Sequence, residues 1–343
     1  MSPSRRDVSS ASPERVVIPL RVPAAAAAAA TAAAPVLARA LQARGRASTW
    51  RGSLGFPWTS PTWPGDVERP PVERTLGADF DTEWARRPPA RAARALVLDG
   101  VVRPAIGVVA SPTITGLDRL DGLAGPAIFV GNHSSHLDTP LLLTSLPDRF
   151  RHKTVVAAAA DYFFDRRVKA IGSALALGAI PFDRTTVSRR SLDSAAALLS
   201  DGWSLVIFPE GGRTHDGWAQ EFKAGAAFLA TRCQVPLVPV HLEGSRRVWR
   251  RGGGGLHRTA THVTFGSPIR PGASLGDARA LAATAEQAVA VLADEQATDW
   301  WTARRRAAAG TTPSLRGPSA SAWRRSWELG EGRRVTSGPR WPA

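Results

Sequence analysis

The chain has 343 residues, 43% hydrophobic and 21% charged, a composition that excludes a collagen, a coiled coil and a wholly disordered protein. A disulfide scaffold is also excluded, because the sequence contains one cysteine, Cys233. The formal net charge is +15, of which residues 1–46 contribute +5 and residues 301–343 contribute +7. The basic character therefore belongs mainly to the two ends of the chain.

Both ends are low in sequence complexity. Residues 1–74 are rich in alanine, arginine and proline and end in a tryptophan- and proline-rich stretch, and residues 300–343 are rich in arginine, glycine and serine. We expect both regions to be largely disordered. Basic tails of this kind suit an anionic membrane surface or nucleic acid as a partner.

The sequence offers no membrane span. The longest uncharged run near the start, residues 22–38, is mostly alanine and contains two prolines. A span needs about 20 strongly apolar residues, and a signal peptide needs an apolar core that this run lacks. We therefore expect a cytoplasmic protein.

Strands and helices alternate between the tails. The alternation predicts an α/β fold, with one layered domain over residues 75–299 in which a central mixed sheet is flanked by helices. A further helix is expected to open at Thr139-Pro140, with Thr139 as its N-cap. The predicted strands are residues 127–130, 155–160, 179–182, 204–208, 237–241 and 261–265, and the predicted helices are residues 90–98, 161–177, 188–199, 224–231 and 277–293.

The segment 132–138, which reads Asn-His-Ser-Ser-His-Leu-Asp, is the sharpest candidate site. It follows a predicted buried strand and precedes a helix, where functional loops lie in α/β sheets. His133 and Asp138 are five residues apart, so a tight turn brings the carboxylate to the imidazole. An aspartate that orients a histidine and stabilises its imidazolium makes a general base.

Three other interpretations of this segment remain open. The histidines and the aspartate are candidates for a metal site, although Thr139 stands where the His-x-His-x-Asp-His pattern of lactamase-type hydrolases has its last histidine. Ser134 or Ser135 is a candidate nucleophile, although no Gly-x-Ser-x-Gly elbow surrounds them. The polar residues are also compatible with a simple loop cap.

Three further segments stand at strand ends or in a strand. Residues 180–184 read Ile-Pro-Phe-Asp-Arg, residues 208–214 read Phe-Pro-Glu-Gly-Gly-Arg-Thr, and residues 235–240 read Val-Pro-Leu-Val-Pro-Val. Arginine binds phosphate through two hydrogen bonds, and glycines let backbone N–H groups approach an anion. The alternatives are that Asp183 and Arg184 form a surface ion pair and that Gly211 and Gly212 form a plain turn.

Together and in this order, the four segments resemble the blocks of the glycerophospholipid acyltransferase family, over about residues 100–295. The first matches its Asn-His-x-x-x-x-Asp block, and the third is similar to Phe-Pro-Glu-Gly-Thr-Arg-Ser, with Gly212 and Thr214 as departures. The resemblance implies transfer of a fatty acyl group from acyl-CoA or acyl carrier protein to the hydroxyl of a lysophospholipid. The first expectation for the acceptor is 1-acylglycerol 3-phosphate, which gives phosphatidic acid.

The resemblance also assigns roles. His133 is the base that takes the hydroxyl proton, and Asp138 orients it. Arg184, Glu210, Gly211 and Arg213 match the acceptor-binding blocks.

The two arginines are the candidates for binding the acceptor phosphate, and Lys223, just before a predicted helix, is a further cation for it. Glu210 is expected to bind acceptor hydroxyls or to position an arginine. No metal and no cofactor besides the acyl donor is expected.

Other functions stay open. The acceptor is alternatively glycerol 3-phosphate, another lysolipid or a glycolipid, and a different class is a non-catalytic adaptor acting through the arginine-rich tails. For the enzyme we expect peripheral binding to the inner face of the cell membrane and no specific nucleic acid partner.

Overall fold

The structure is a computed structural model. It describes residues 77, 79–183, 189–214, 216–249, 256–272, 277–320 and 324–325. The predicted N-terminal tail, residues 1–74, lies outside the described residues.

Helices and strands alternate along most of the described chain, beside 3₁₀ turns at Glu83–Arg86 and Leu117–Leu120. The strands are β1 Pro112–Thr115, β2 Ile128–Gly131, β3 Thr154–Ala159, β4 Ala179–Phe182, β5 Ser204–Ile207, β6 Leu237–Glu243 and β7 Thr261–Phe265. The helices are α1 Pro88–Val97, α2 Arg103–Ala110, α3 Asp138–Ser145, α4 Asp148–Arg151, α5 Ala160–Phe163, α6 Arg167–Leu177, α7 Arg189–Ser200, α8 Gly225–Cys233, α9 Ser245–Val248, α10 Ala278–Ala297 and α11 Trp300–Ala308.

The strands form one sheet in the order β1-β7-β6-β2-β5-β3-β4. Strand β2 lies between β5 and β6 and runs parallel to both, whereas β6 and β7 pair antiparallel. The predicted α/β fold with a mixed sheet flanked by helices is confirmed. Because β2, β5 and β6 are parallel, their carboxyl ends and the loops that follow meet at one edge of the sheet.

A separate apolar core lies on each face of the sheet. Ile128 and Val130 of β2 pack into one core, and Phe129 between them packs into the other. This alternation explains why β2 is a continuous apolar run, since a strand covered on both faces has no solvent side. The strand that carries the candidate loop is therefore held rigidly at the centre of the domain.

The helical chain does not stop after residue 98, where the first predicted helix ends. Helix α1 continues through a π turn, Leu98–Val102, into α2. Pro104 stands in the first turn of α2, where a missing backbone N–H is tolerated. Strand β1 follows directly and was not predicted.

Two other helix predictions need correction. Helix α3 begins at Asp138 with Leu137 at the N-cap position, so Thr139 is not the cap. The helix predicted at residues 161–177 is divided into α5 and α6, because the chain leaves helical geometry at Phe164, whose ring is fully buried.

The prediction of a disordered tail from residue 300 is wrong for its first part. Asp299 caps α11 by accepting a hydrogen bond from the Thr302 N–H at 2.9 Å. Helix α11 then packs on α10, and its Arg306 pairs with the buried Asp294 at 2.7 Å. The arginines read as a solvated tail are thus partly used inside the fold.

No helix in the described part of the chain is long and apolar enough to cross a membrane.

Candidate active site

The loop after β2 is tied to β6 by the side chain of Asn132. Its Nδ2 donates to the Leu242 carbonyl at 2.8 Å, and its Oδ1 accepts from the Leu242 N–H at 2.9 Å. A side-chain amide that satisfies both groups of one backbone residue extends the sheet pairing beyond the end of β2. The next residue, His133, therefore starts from a fixed backbone position.

His133 and Asp138 form the predicted pair. His133 Nδ1 lies 2.9 Å from Asp138 Oδ2, and the same oxygen accepts the N–H groups of Ser134 and Ser135, both at 2.7 Å. An oxygen that accepts two backbone hydrogen bonds is an acceptor for the ring as well, so Nδ1 carries the proton. Nε2 is left as the nitrogen that can accept a proton.

The imidazole is also held by stacking. Its ring lies against Phe208 with centroids 4.2 Å apart and planes 16° from parallel. Asp138 is fully buried, whereas 17% of the His133 side chain is exposed. The imidazole is thus held between the Phe208 ring and the Asp138 carboxylate, with part of its surface open to solvent.

Glu210 is buried, and only 3% of the residue is exposed. Its Oε1 accepts the His133 N–H at 2.8 Å and its Oε2 accepts the Gln220 N–H at 3.0 Å. Both carboxylate oxygens are thus engaged by backbone groups, and Glu210 helps to position the His133 backbone. Its contribution to acceptor binding stays a prediction.

Burial raises the pKa of Glu210 to about 8, although the two backbone N–H donors act to lower it. Desolvation prevails because a carboxylate away from water is strongly disfavoured unless many donors surround it.

The C-terminal segment holds the loop that contains Gln220. The Ala219 N–H donates to the Leu315 carbonyl at 3.0 Å. Arg316 forms two hydrogen bonds with Glu286, at 2.7 and 2.9 Å, and the same carboxylate accepts the Phe222 N–H at 3.0 Å. Contacts thus run from the C-terminal segment through this loop and Glu210 to His133.

Gly211 and Lys223, two of the candidate site residues, lie close together. Gly211 has φ +75°, and a Cβ there would lie 2.7 Å from Lys223 Nζ. Glycine suits this position because it adopts the left-handed conformation freely and leaves room for the ammonium group.

Arg213 lies beside Tyr162 rather than beside Lys223. Its guanidinium carbon is 5.9 Å from the centre of the tyrosine ring, and Lys169 Nζ is 4.0 Å from the same ring. The His136 ring stacks on the Tyr162 ring, with the two ring centroids 5.6 Å apart. Two cations therefore gather beside the loop that carries His133.

Arg184, the remaining predicted phosphate ligand, lies outside the described residues.

The structure also places the residues of the alternative interpretations of the loop. Within the described ranges, no three His, Cys, Asp or Glu side chains are grouped as a metal site. Ser135 Oγ donates to the Trp249 carbonyl at 2.9 Å, and Ser134 Oγ lies 3.2 Å from Ser245 Oγ. Both hydroxyls are thus committed to partners other than the histidine.

Some of the supporting residues were missed. Asn132 belongs to the sequence motif, but the motif does not reveal that its side chain binds the backbone of Leu242. Nothing in the sequence marked Tyr162 and Lys169 as part of a cation cluster, or Glu286 and Arg316 as a brace, because these contacts join distant parts of the chain.

Comparison with known proteins matches residues 111–243 to the acyltransferase family. A chloroplastic 1-acyl-sn-glycerol-3-phosphate acyltransferase from Brassica napus is 31% identical over 161 residues, which cover 46% of this chain and 44% of that protein. The human 1-acyl-sn-glycerol-3-phosphate acyltransferase beta is 34% identical over 125 residues, covering 34% and 41%.

Among solved structures, the 1-acyl-sn-glycerophosphate acyltransferase PlsC from Thermotoga maritima aligns with a TM-score of 0.47 and 20% identity, over 63% of this chain and 83% of that one. The chain spans less than half the length of the two relatives from Brassica napus and human.

The raised pKa of Glu210 makes the stability of the protein depend on pH. The folded state holds this proton more tightly than the unfolded chain, so the associated stability is complete below the ordinary pKa, about 4.5, and is lost as pH rises through about 8. Glu210→Gln lacks this dependence. Urea unfolding at pH 5 and pH 8.5 should show the wild-type free energy of unfolding falling, relative to the variant, by at least about 1.4 kcal/mol, the value of one pKa unit.

A difference between the two proteins that stays constant over this pH range would contradict the assignment.

Proposed function

We propose that this chain transfers a fatty acyl group from an acyl thioester to the hydroxyl of 1-acylglycerol 3-phosphate, because residues 111–243 match the acyltransferase family and similar proteins are named 1-acyl-sn-glycerol-3-phosphate acyltransferases. The observation that carries the proposal is the His133–Asp138 pair, fixed on the central strand with Nε2 available. The acyl donor is acyl-CoA or acyl carrier protein, and the product is phosphatidic acid.

The reaction uses His133 as a general base. Nε2 removes the proton from the acceptor hydroxyl as the oxygen attacks the thioester carbon, and the Asp138 carboxylate stabilises the imidazolium that forms. The tetrahedral intermediate then expels the thiolate, which takes the proton back from Nε2. One C–O bond forms, one C–S bond breaks, and the enzyme carries no covalent intermediate.

The acceptor phosphate is assigned to the cations beside the loop. Arg213 and Lys223 follow β5, the strand next to β2, and Lys169 lies on the same tyrosine ring as Arg213. A dianionic phosphate needs such partners, because its oxygens accept charge-assisted hydrogen bonds most strongly. Arg184 is proposed as a further ligand on the basis of the family block alone.

A thiol-release assay tests the reaction. Purified protein is mixed with an acyl-CoA and a thiol-reactive dye, with and without acceptors of each class: 1-acylglycerol 3-phosphate, glycerol 3-phosphate, another lysophospholipid and a glycolipid. We expect release that depends on 1-acylglycerol 3-phosphate. A parallel series with acyl carrier protein identifies the donor. No acceptor-dependent release with any donor would refute the proposed function.

His133→Gln should lower kcat by about 10²–10⁴-fold, the usual contribution of general-base catalysis. Asp138→Asn should fall in the same range, because the amide neither fixes the tautomer nor stabilises the imidazolium. His152→Gln is the matched control, since His152 pairs with Asp99 away from the loop. Near-normal turnover in a folded His133→Gln variant would exclude this mechanism.

Arg213→Ala should raise the KM of the acceptor about 10- to 100-fold with little change in the KM of the donor. A charge-assisted hydrogen bond contributes about 1.5–3 kcal/mol, which sets that range. Arg305→Ala, an exposed arginine on α11, is the control. A rise confined to the donor KM would show that Arg213 binds the phosphates of CoA instead.

For a lipid acceptor we also propose peripheral attachment to the inner face of the cell membrane. Helices α1 and α6 pack together and each exposes large apolar side chains, with Leu96 75% and Val168 83% exposed. The exposed Arg166 and Arg167 flank Val168 and suit an anionic lipid surface. The arginine-rich ends, residues 1–46 and 302–343, are proposed to add attraction that salt screens.

Sedimentation with anionic vesicles tests this attachment. Binding of the full chain should fall as salt rises, and Val168→Glu should lower the bound fraction about fivefold, because it removes about 1 kcal/mol of apolar burial. Ala280→Glu, on the exposed side of α10, is the control. Equal binding by Val168→Glu and the control would place the contact elsewhere.

A further inference from the structure

A cleft of about 1060 Å³ opens next to the catalytic loop, on the side away from the proposed phosphate site. Asn132 and Ser134 form its inner end. From there it extends past β6 towards β7 and β1, whereas Arg213 and Lys223 follow β5 on the other side of β2. A ligand in this cleft reaches the loop that holds His133 from the β6 side of β2.

One wall of the cleft is polar across three neighbouring strands. His241 of β6 pairs with Thr264 of β7, which pairs with Thr115 of β1, and the two threonine hydroxyls lie 3.1 Å apart. A second row, Glu243, His262 and Thr113, lies beside it. The alternate residues of these strands, such as Val263, belong to the apolar core on the opposite face.

The facing wall is mixed. Ala290 and Ala293 of α10, with Leu315 and Trp218, contribute apolar surface, whereas residues 294–296 at the end of the same helix are polar or charged. The cleft thus offers hydrogen-bonding groups on the sheet side and apolar patches on the helix side.

The three carboxylates of the cleft are paired with arginines. Glu243 pairs with Arg247 at 3.3 Å, and Asp294 pairs with Arg306 at 2.7 Å. Glu295 pairs with Arg119 at 2.7 Å. Burial lowers the pKa of His241 to about 4, so this histidine is uncharged at neutral pH.

His241 and Asp294 add polar character to the cleft although they are 8% and 4% exposed. His241 Nδ1 and Asp294 Oδ2 have no hydrogen-bond partner among the residues that the structure describes. Because both atoms are enclosed by the protein, the groups that a ligand can reach are the more exposed hydroxyl, imidazole and carboxylate groups of the same wall.

The substrates of the proposed reaction contain one portion that fits. The lining contains two arginines and three carboxylates, so it offers no net positive charge for a phosphate, and its hydroxyls, histidines and carboxylates make it a poor environment for a hydrocarbon chain. The pantetheine arm of the acyl donor is uncharged and carries two amides, a hydroxyl and apolar methyl groups. It also ends at the thioester, which must reach His133.

We propose that this cleft binds the pantetheine arm that CoA and acyl carrier protein share. The proposal rests on the proposed function, because it requires an acyl thioester as the donor. The amide and hydroxyl groups of the arm lie along the His241–Thr264–Thr115 row, and its methyl groups face Trp218 and the alanines of α10. The thioester then lies at Asn132 and Ser134, beside the base.

Filling the cleft tests the assignment. Ala293→Trp adds a large side chain at a half-buried position of the lining, and Ala280→Trp adds the same side chain on the exposed face of the same helix. We expect the KM for acyl-CoA to rise about tenfold or more in Ala293→Trp, with the acceptor KM unchanged and Ala280→Trp like wild type. An unchanged donor KM, or a rise confined to the acceptor KM, would overturn the proposal.

A milder variant guards against a folding defect. Thr113→Val keeps the size of the side chain and removes one hydroxyl from the polar row. It should raise the donor KM about three- to fivefold with kcat retained. Donor and acceptor KM values that both match wild type in this variant and in Ala293→Trp would contradict the assignment.

Binding without turnover separates this proposal from the proposed reaction. Calorimetry with pantetheine, CoA and holo acyl carrier protein should detect binding to the wild type that Ala293→Trp weakens. Weakening for all three probes places the shared arm in the cleft, and equal affinities in the two proteins would refute it. Wild-type protein that binds pantetheine but shows no acceptor-dependent thiol release contradicts the proposed reaction and leaves the cleft assignment standing.

Discussion

Asp138 Oδ2 accepts hydrogen bonds from the His133 ring and from the backbone N–H groups of Ser134 and Ser135. The carboxylate is fully buried at the first residue of α3, where removal from water is costly unless donors surround it. The loop between β2 and α3 therefore folds around one oxygen. The same bonds that stabilise the buried charge fix the tautomer and direction of the imidazole, so loop stability and catalytic geometry have one cause.

The rest of the fold keeps that loop in place from two directions. Asn132 ties it to β6, and Glu210, from the loop after β5, holds the His133 N–H. Glu210 in turn binds the loop at Gln220, which the segment around Arg316 braces through Glu286. These supports come from chain positions more than 180 residues apart, and the parallel sheet lets them converge at one edge.

The sequence was most informative where function and local spacing coincide. The His133–Asp138 pair and the central strand before it were predicted, because each follows from a short pattern. The backbone contacts of Glu210 and the close approach of Gly211 and Lys223 were not predicted, since no residue pattern reveals them. Residues 300–320 were taken for a tail because arginine-rich sequence is usually solvated, and the acidic partners Asp294 and Glu286 could be recognised only once α10 was placed.

The central claim is that Asp138 holds His133 with a proton on Nδ1 and none on Nε2. Nitrogen-15 NMR of histidine-labelled protein at pH 8 measures this directly, with the His133 signals assigned by their loss in His133→Gln. The account predicts a protonated Nδ1 and a bare Nε2 in the wild type, and loss of that preference in Asp138→Asn. A wild-type His133 protonated on Nε2 would contradict it.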